Sequence, residues 1–556
     1  DGANNDIIFQ SNGTTKATLD QAGLFTATSY AGSGANLTNL PSTSTADIRT
    51  AVTLQLSATS NIGLGATAVD SITTGDYNVG LGDYSLTANT TGSNNAAIGD
   101  SAMERNTTGS NNVAVGRLAL DHNTTASNNT AVGHSALTAN TTAEYNVAIG
   151  EEAGKALTTG SYNTILGTKA MKTATTSTRS IAIGVSALQN TTTGADNVAV
   201  GTNALAANTT GAENTAIGRA SLVANITGAE NVAVGKNSLS ANTTGSYNAA
   251  IGKDTLYTNT TAHSNTAMGY RALWKNAAGD NNVAIGRQAA TTNITGAGMV
   301  ALGKDALKFN TSGQNNTALG SYSLQANTTA NNNVAAGSYC LNANTTGANN
   351  VGMGYATLES HTTGGGNTAI GYRACTQGTA LTTGSGNTII GAYCRTNAVA
   401  SGYAFGLGYD LTCHAGYTTL GESANDIRAA NGTASWATVS DRRFKKDIVD
   451  STTGLSFVNA LQPRTFKYKN LGELPTTFSA YKADSTEVFK NSNTNHGFIA
   501  QEVKAAIDAD SSIKDGFRMW DNREDGSQEV AESALIPILV KAIQELSTKN
   551  DALVAR

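Results

Sequence analysis

The sequence predicts a mainly β protein, in which a β-solenoid rod of 17-residue repeats precedes a small α+β domain that ends in a coiled-coil helix. The first observation is a glycine that recurs once per repeat, without slippage, from Gly65 to Gly371. The second is that proline is absent between Pro41 and Pro463, as expected for backbone in a continuous hydrogen-bonded ladder. The third is charge: residues 440–556 hold 33 charged residues (about 28%), whereas the preceding 439 residues hold 42 (about 10%). A polar, nearly uncharged body therefore precedes a C-terminal domain of ordinary globular composition.

Each repeat has the same internal order. A small apolar triplet, such as Val113-Ala114-Val115, lies between an Asn and the recurring glycine. A Leu follows that glycine by four residues in most repeats, and an Asn-Thr-Thr-Gly segment follows the Leu. Seventeen residues are too few for two packed helices, so a fixed short period predicts one solenoid coil per repeat. The triplet predicts a strand, and the Ala-Leu segment predicts a second strand or the edge of a turn.

The recurring Gly and Asn are expected at the corners of the coil, where the backbone needs positive φ. The inward residues are expected to be Ala, Val, Ile and one Leu per coil. This core is small, so several solenoids packed side by side along an apolar face would be more stable than one. Coils about 4.8 Å apart would spread the 18 steps from Gly65 to Gly371 over about 85 Å. Register loosens afterwards, because the next matching glycine, Gly391, comes three positions later than the period predicts.

These patterns divide the chain into four predicted parts. Residues 1–60 form a β-rich N-terminal connector, residues 61–421 the solenoid, residues 422–439 a linker and residues 440–556 the C-terminal domain. Short strands are expected in the connector at Asp6-Ile7-Ile8-Phe9, Thr18-Leu19-Asp20 and Gly23-Leu24-Phe25.

Composition and spacing argue against several function classes. The formal net charge is −5 and no basic block is present, so no nucleic-acid partner is expected. The sequence has no run of 18 or more apolar residues, so no membrane insertion is expected. Acidic residues are scattered through the repeats, without the facing pair that glycan cleavage requires. No cofactor and no metal are expected, and buried free thiols are favoured over a disulfide, because the cysteines lack paired spacing: Cys340, Cys375, Cys394 and Cys413.

Two features of the repeats leave a functional alternative open. The Asn-Thr-Thr triplets match the glycosylation acceptor pattern, but their recurrence at one corner favours turn chemistry. Four tyrosines share the repeat position just before the Asn, where they either pack against neighbouring coils or stack on sugar rings: Tyr77, Tyr145, Tyr162 and Tyr247.

The repeat N-V-A-I-G-x-x-A resembles the left-handed β-roll heads of trimeric autotransporter adhesins over roughly residues 60–410. The resemblance implies association as a homotrimer. This chain departs from that family in its longer, 17-residue period and in lacking the membrane-anchor strands that would end an autotransporter.

Three separated segments of the C-terminal domain carry a second resemblance. They are Ser440-Asp441-Arg442-Arg443-Phe444-Lys445-Lys446-Asp447-Ile448, Ala460-Leu461-Gln462-Pro463-Arg464-Thr465-Phe466-Lys467-Tyr468 and His496-Gly497-Phe498-Ile499-Ala500-Gln501-Glu502-Val503. In this order they resemble the self-cleaving intramolecular chaperone domain that ends many phage tail fibres and tailspikes. The resemblance implies a catalytic dyad of Ser440 and Lys445 and a cleavage site between Val439 and Ser440. It implies a single self-directed cut by a serine endopeptidase, and no other activity is expected. His496 and Glu502 belong to the third segment, and we expect them to have structural roles.

The dyad is chemically reasonable. A serine hydroxyl is a weak nucleophile and needs a base, and a lysine serves when desolvation or nearby cations lower its pKa. Arg442, Arg443 and Lys446 are such cations. From spacing alone, the same segment also reads as a helix start, with Ser440 as N-cap and a solvated basic turn.

The C-terminal end of the sequence predicts an assembly helix. A heptad seam is formed by Ile536, Leu539, Ile543, Leu546, Asn550 and Leu553. Ile with Leu alone favours two strands, and Asn550 would fix the register. The chaperone resemblance implies three strands, and we expect a homotrimer.

Together these features predict the shaft of a phage tail fibre, located in the virion and made in the host cytoplasm. Its expected partners are a host cell-surface receptor (glycan or protein) and other tail or baseplate proteins at its N-terminal end. A bacterial trimeric surface adhesin is the alternative, and a glycan depolymerase is a third class.

Overall fold

A computed structural model describes residues 7–11, 14–19, 25–27, 60–378, 380–423, 425–432, 437–438, 442, 445–478, 480–511, 513, 519–522 and 527–556. The chain forms two compact units, Asp1–Val439 and Ser440–Arg556. The first unit opens with a three-stranded antiparallel sheet of β1 (Ile7–Ser11), β2 (Thr14–Leu19) and β3 (Phe25–Ala27).

The body of the first unit is a β-solenoid of about 21 turns, which confirms the predicted fold class and the 17-residue period. Each coil contributes one short strand that pairs in parallel with the strand one repeat away, as Val113 pairs with Thr130. The parallel strands are β4 (Ile62–Leu64), β5 (Val79–Leu81), β6 (Ala96–Ile98), β7 (Val113–Val115), β8 (Thr130–Val132), β9 (Val147–Ile149), β10 (Thr164–Leu166), β11 (Ile181–Ile183), β12 (Val198–Val200), β13 (Thr215–Ile217), β14 (Val232–Val234), β15 (Ala249–Ile251), β16 (Thr266–Met268), β17 (Val283–Ile285), β18 (Val300–Leu302), β19 (Thr317–Leu319), β20 (Val334–Ala336), β21 (Val351–Met353), β22 (Thr368–Ile370), β23 (Thr388–Ile390), β25 (Phe405–Tyr409) and β27 (Tyr417–Glu422).

Stacking continues past Gly371 although the spacing changes. Gly391, Gly408 and Gly421 keep the positive φ of the earlier column glycines, the glycines that recur once per repeat. A second pair, β24 (Arg395–Thr396) with β26 (Thr412–Cys413), adds parallel bonds in these coils. The range expected as a linker carries β28 (Asn425–Ala430) and β29 (Ala437–Thr438), which run antiparallel beside β27.

The column glycines meet two requirements at once. Gly201 has φ +135°, which L side chains rarely adopt, and a Cβ there would lie 2.7 Å from the carbonyl carbon and oxygen of Gly218. The predicted corner role of glycine is therefore confirmed.

Of the two alternatives predicted for the Ala-Leu segment, the structure has the turn: the segment forms stacked turns, and its Leu is itself left-handed, as in Leu205 with φ +51°. One local prediction is wrong. The Asn before each triplet is not at a positive-φ corner, because the left-handed residue is the one before it, as in Asn111 beside Asn112. Hydrogen bonds to the adjacent coils hold both conformations: Leu205 N–H donates to the Ser221 carbonyl.

The Asn side chains instead form two buried amide ladders. In the first, Asn225 Nδ2 donates to Asn208 Oδ1 and to the Gly228 carbonyl, both at 2.9 Å. In the second, Asn231 Nδ2 donates to Asn214 Oδ1 of the previous coil at 3.0 Å. The first ladder uses the Asn of the Asn-Thr-Thr triplet, whose side chain is fully buried, so the triplet has the structural role favoured over glycosylation.

The core is narrower than predicted. Only the middle residue of each triplet, usually Ala, points inward, where it joins the left-handed Leu and the Ala before it. The first and third residues, usually Val, Ile or Thr, point outward, which corrects the inward placement of Val and Ile. We call this outward surface of β4–β23 the strand face.

In its described residues, the second unit has a small apolar core and three α-helices. Its elements are α1 (Leu455–Ala460), β30 (Arg464–Phe466), a 3-10 helix (Leu471–Glu473), β31 (Asn495–Gly497), α2 (Ala500–Ala509), β32 (Trp520–Asn522), β33 (Gln528–Val530), a second 3-10 helix (Glu532–Leu535) and α3 (Ile536–Val554). The core is formed by Phe457, Leu461, Val503, Ala506, Ile507, Met519, Leu535 and Ile538. Across the described residues, no helix is both long and apolar enough to cross a membrane.

Candidate functional site

The first predicted motif lies where the second unit begins. Ser440 and Val439, the expected nucleophile and cleavage position, are outside the described residues. Lys445 is exposed, and its N–H donates to the Arg442 carbonyl at 3.0 Å in a tight turn. An exposed segment then leads to α1. Lys445 is therefore placed on the surface of the unit, and the Ser440–Lys445 dyad stays a prediction.

The second and third motifs are brought together. β30 pairs antiparallel with β31, which sets Thr465 opposite His496. Arg464 at the start of β30 donates from Nε and from Nη2 to the two carboxylate oxygens of Glu502 in α2, at 2.9 and 2.7 Å. This hydrogen bonding holds the pKa of Glu502 below its usual value. Glu502 therefore links the sheet to α2.

The helix α3 has two different faces. Ile538 and Ala542 are buried within the unit, and α3 also reaches α1, because Glu545 Oε2 accepts from the Leu455 N–H at 2.9 Å. The predicted heptad seam lies on exposed surface, and Ile543 is 65% exposed. Within one copy of the chain, the seam is an uncovered apolar stripe.

The strand face is an apolar surface that runs along the solenoid. The third triplet residue is exposed in many of its coils, among them Ile98, Ile149, Ile217, Ile251, Leu302 and Met353. Soluble monomers rarely expose contiguous apolar patches of more than a few hundred Å². Parallel sheets are normally covered on both faces. This surface therefore fits an interface between chains.

Tyrosines occupy two separate columns on the solenoid. Those predicted from the sequence (Tyr77, Tyr145, Tyr162 and Tyr247) are all exposed, and Tyr145 and Tyr162 stack with ring centroids 5.1 Å apart. A second column follows six consecutive column glycines and was missed by the sequence analysis: Tyr322, Tyr339, Tyr355, Tyr372, Tyr393 and Tyr409. The available signal was a Tyr one or two residues after each glycine.

The four cysteines are buried free thiols, as the sequence analysis favours. Burial raises the pKa of all four, that of Cys340 and Cys413 to about 12. No cluster of three or more His, Cys, Asp or Glu that could hold a metal ion is found in the part of the chain that the structure describes.

Comparison with known proteins adds one result. Residues 440–510 match the model of the peptidase S74 family, described as the chaperone of endosialidase. Over these residues, the second unit is similar to an endosialidase-chaperone domain. No curated protein and no solved structure matches the chain. A match of this kind that follows a β-solenoid with 17-residue repeats along the chain fits a tailspike- or endosialidase-type fibre.

Proposed function

We propose that the protein is the shaft of a phage tail fibre, a homotrimer that attaches the virion to a host-cell receptor. The observation that carries the proposal is the placement of an endosialidase-chaperone match, residues 440–510, directly after a β-solenoid of about 21 turns. The first compact unit ends at Val439, the residue before the expected cleavage point. The N-terminal end would join other tail or baseplate proteins.

Two uncovered apolar surfaces support three-chain assembly. The strand face would be covered by two further copies of the solenoid, and the seam of α3 by two further copies of α3. Assembly of three chains of 56.6 kDa would cover both apolar surfaces, since each surface runs along the length of the element that carries it.

In this proposal the chaperone domain ends its work with one cut. Lys445 takes the proton of the Ser440 hydroxyl, whose oxygen attacks the Val439 carbonyl carbon. The Val439–Ser440 amide bond breaks, its nitrogen receives the proton from Lys445, and an ester forms. Water then hydrolyses the ester, which leaves a Val439 carboxylate and a free Ser440 with its hydroxyl restored.

The test compares the full chain with Ser440→Ala by denaturing gel and intact mass. We expect wild type to split between Val439 and Ser440 and the variant to stay whole. Lys445→Met should also stay whole, whereas Lys446→Met, a neighbouring lysine with the same charge, should be cut. Light scattering of Ser440→Ala should give three times the chain mass.

Two outcomes contradict the proposal. If wild type and Ser440→Ala both stay whole, the dyad is wrong and the domain is a permanent cap. If the scattering mass is that of one or two chains, the trimeric shaft is wrong. Cutting of Lys445→Met at the wild-type rate would remove Lys445 from the dyad.

A further inference from the structure

One corner of the solenoid carries an ordered chemical pattern. We define the corner stripe as the two residues after each column glycine from Gly218 to Gly408, that is, from Arg219 to Asp410. These residues are held in line along the solenoid by backbone hydrogen bonds. The second residue of one coil donates its N–H to the carbonyl of the first residue in the coil before, as Asp305 does to Arg287 at 3.0 Å.

The N-terminal half of the corner stripe is basic. Each of six consecutive coils has a cation at one of the two positions: Arg219, Lys236, Lys253, Arg271, Arg287 and Lys304. All but Arg271 are exposed. The two acids at the stripe positions of these coils, Asp254 and Asp305, are buried. The stripe therefore presents positive charge on a chain whose net charge is −5.

The C-terminal half of the corner stripe is aromatic. The next six coils each place one tyrosine there, with neighbouring ring centroids 5.0 to 6.0 Å apart. Tyr355, Tyr372 and Tyr409 remain 45%, 44% and 51% exposed despite these contacts. Lys304 joins the halves, because its Nζ lies 4.9 Å from the ring centroid of Tyr322.

The same corner is different in the nine earlier coils. From Gly65 to Gly201 it holds four acids and two lysine or arginine residues, with a single tyrosine, Tyr84. Coil stacking is the same in both parts, so the fold does not require cations or tyrosines at this corner. The pattern is therefore a property of one segment of the surface.

We infer that the corner stripe binds a linear acidic polysaccharide laid along the solenoid. Its cations would pair with carboxylates, which the planar Arg fork suits. Each tyrosine offers an apolar ring for sugar C–H groups and a hydroxyl for hydrogen bonding. A one-dimensional stripe of about twelve coils fits a linear polymer better than a globular partner. Nucleic-acid channels also combine charge and rings along one groove, so a single-stranded DNA is one of the probes of the test.

This inference rests on the proposed function, because an attachment fibre meets the polysaccharide of a cell envelope. It identifies the partner class and the surface that the proposal leaves open.

Binding of the uncut full-length Ser440→Ala chain to polygalacturonate and hyaluronate tests it, with carboxyl-reduced forms of both polymers and a single-stranded DNA as further probes. The charge variant combines Arg219→Thr, Lys236→Thr and Lys253→Thr, since the chain has Thr at that position in Thr168 and Thr202. The ring variant combines Tyr339→Asn, Tyr355→Ser and Tyr372→Ser, which also copy residues of other coils. The matched control, Tyr145→Asn, Tyr162→Asn and Tyr247→Asn, removes three tyrosines from the other column.

We expect binding to at least one acidic polymer, and at least tenfold weaker binding to its reduced form. Each stripe variant should lose at least tenfold, and the control should bind as before. The charge variant should also bind with a weaker salt dependence, since it removes three of the six cations of the stripe.

Absent binding to both acidic polymers overturns the inference, as does equal binding to the reduced forms or to DNA, or an equal loss in the control. A stripe variant that folds but loses the trimer mass would assign the stripe to contacts between copies. These failures leave the self-cleavage and wild-type trimer of the proposed function standing, whereas loss of those would refute that function separately.

Discussion

The contacts that stabilise the solenoid differ in kind from those that stabilise the second unit. In the solenoid each coil repeats the bonds of the last, as when Asn225 and Asn242 both donate to the Asn one coil before. In the second unit the long-range contacts are unique, such as Arg464 with Glu502 and Leu455 with Glu545. A solenoid of near-identical coils has little to distinguish the correct alignment of several chains from one displaced by a whole coil. A unit with unique contacts can set that alignment.

The largest expected effect comes from removing the aligning unit before folding. A chain ending at Val439 should regain at least tenfold less trimer after dilution from denaturant than the Ser440→Ala full chain, because non-local register search is slow. Light scattering after refolding measures the yield. As the control, native rod already cut at Val439 should keep the thermal midpoint of the uncut rod. Equal refolding yields would show that the solenoid aligns itself.

Within the solenoid, the largest effect is expected at a column glycine. Gly201→Ala places a Cβ 2.7 Å from the Gly218 backbone at a φ of +135°. We expect a loss of about 1–3 kcal/mol from backbone strain alone, read as a lower thermal midpoint. Gly211→Ala is the control for φ: a Cβ there would lie 2.4 Å from the Gly228 carbonyl oxygen, as close a backbone contact as at Gly201, but its φ is not positive and other coils carry Ala there, as Ala143 does. Equal losses would mean that the φ of the column is not limiting.

The solenoid was largely predictable because its signal is repeated. The glycine column, the strand triplet and the buried Leu all follow from spacing, and proline and charge separate the second unit. The left-handed conformation of Leu205 was not predictable, because the carbonyl that accepts the Leu205 N–H belongs to Ser221 in the next coil. The amide ladders were missed for a related reason, since burying an amide is favourable only when the neighbouring coil supplies a partner.

The candidate site was less predictable. The motifs around Arg464 and Glu502 are recognisable, but their ion pair joins residues 38 positions apart, which no local spacing specifies. In the second tyrosine column, the tyrosine is the first residue after the glycine in some coils and the second in others, so a strict 17-residue period does not reveal the column. The Ser440–Lys445 dyad rests on the family motif, and Ser440 itself lies outside the described residues.

A smaller effect is expected when one rung of an amide ladder is removed. Asn225→Leu leaves Asn208 Oδ1 without its donor and removes one of the two acceptors of Asn242 Nδ2, whereas the Gly228 carbonyl keeps its bond from Asn214 Nδ2. Buried unsatisfied groups cost about 1–3 kcal/mol, so the thermal midpoint should fall. Asn225→Thr should cost less, because Thr191 at this ladder position accepts from Asn208, whereas Leu157 at the same position leaves Asn140 Oδ1 without a donor. A larger loss for Thr than for Leu would mean that packing, not hydrogen bonding, governs the rung.

The smallest expected effect is a pH dependence at His361, which replaces the Asn of the first ladder. Its Nε2 lies 2.7 Å from the Gly364 carbonyl, and burial lowers its pKa below the usual 6.5. The unfolded chain therefore takes up a proton at higher pH than the folded one. The contribution of His361 to stability is complete above about pH 6.5 and is lost as the pH falls toward the lowered pKa.

His361→Asn should reduce the drop in thermal midpoint between about pH 7.5 and about pH 5, whereas His134→Asn, at an exposed histidine, should not. If both variants kept the wild-type drop, His361 would not be its source. Glu152 is not the source of this drop, because hydrogen bonds from Lys155 and Lys172 lower its pKa to about 2, so its contribution is complete above about pH 4.5 and is lost only as the pH falls from there toward about 2.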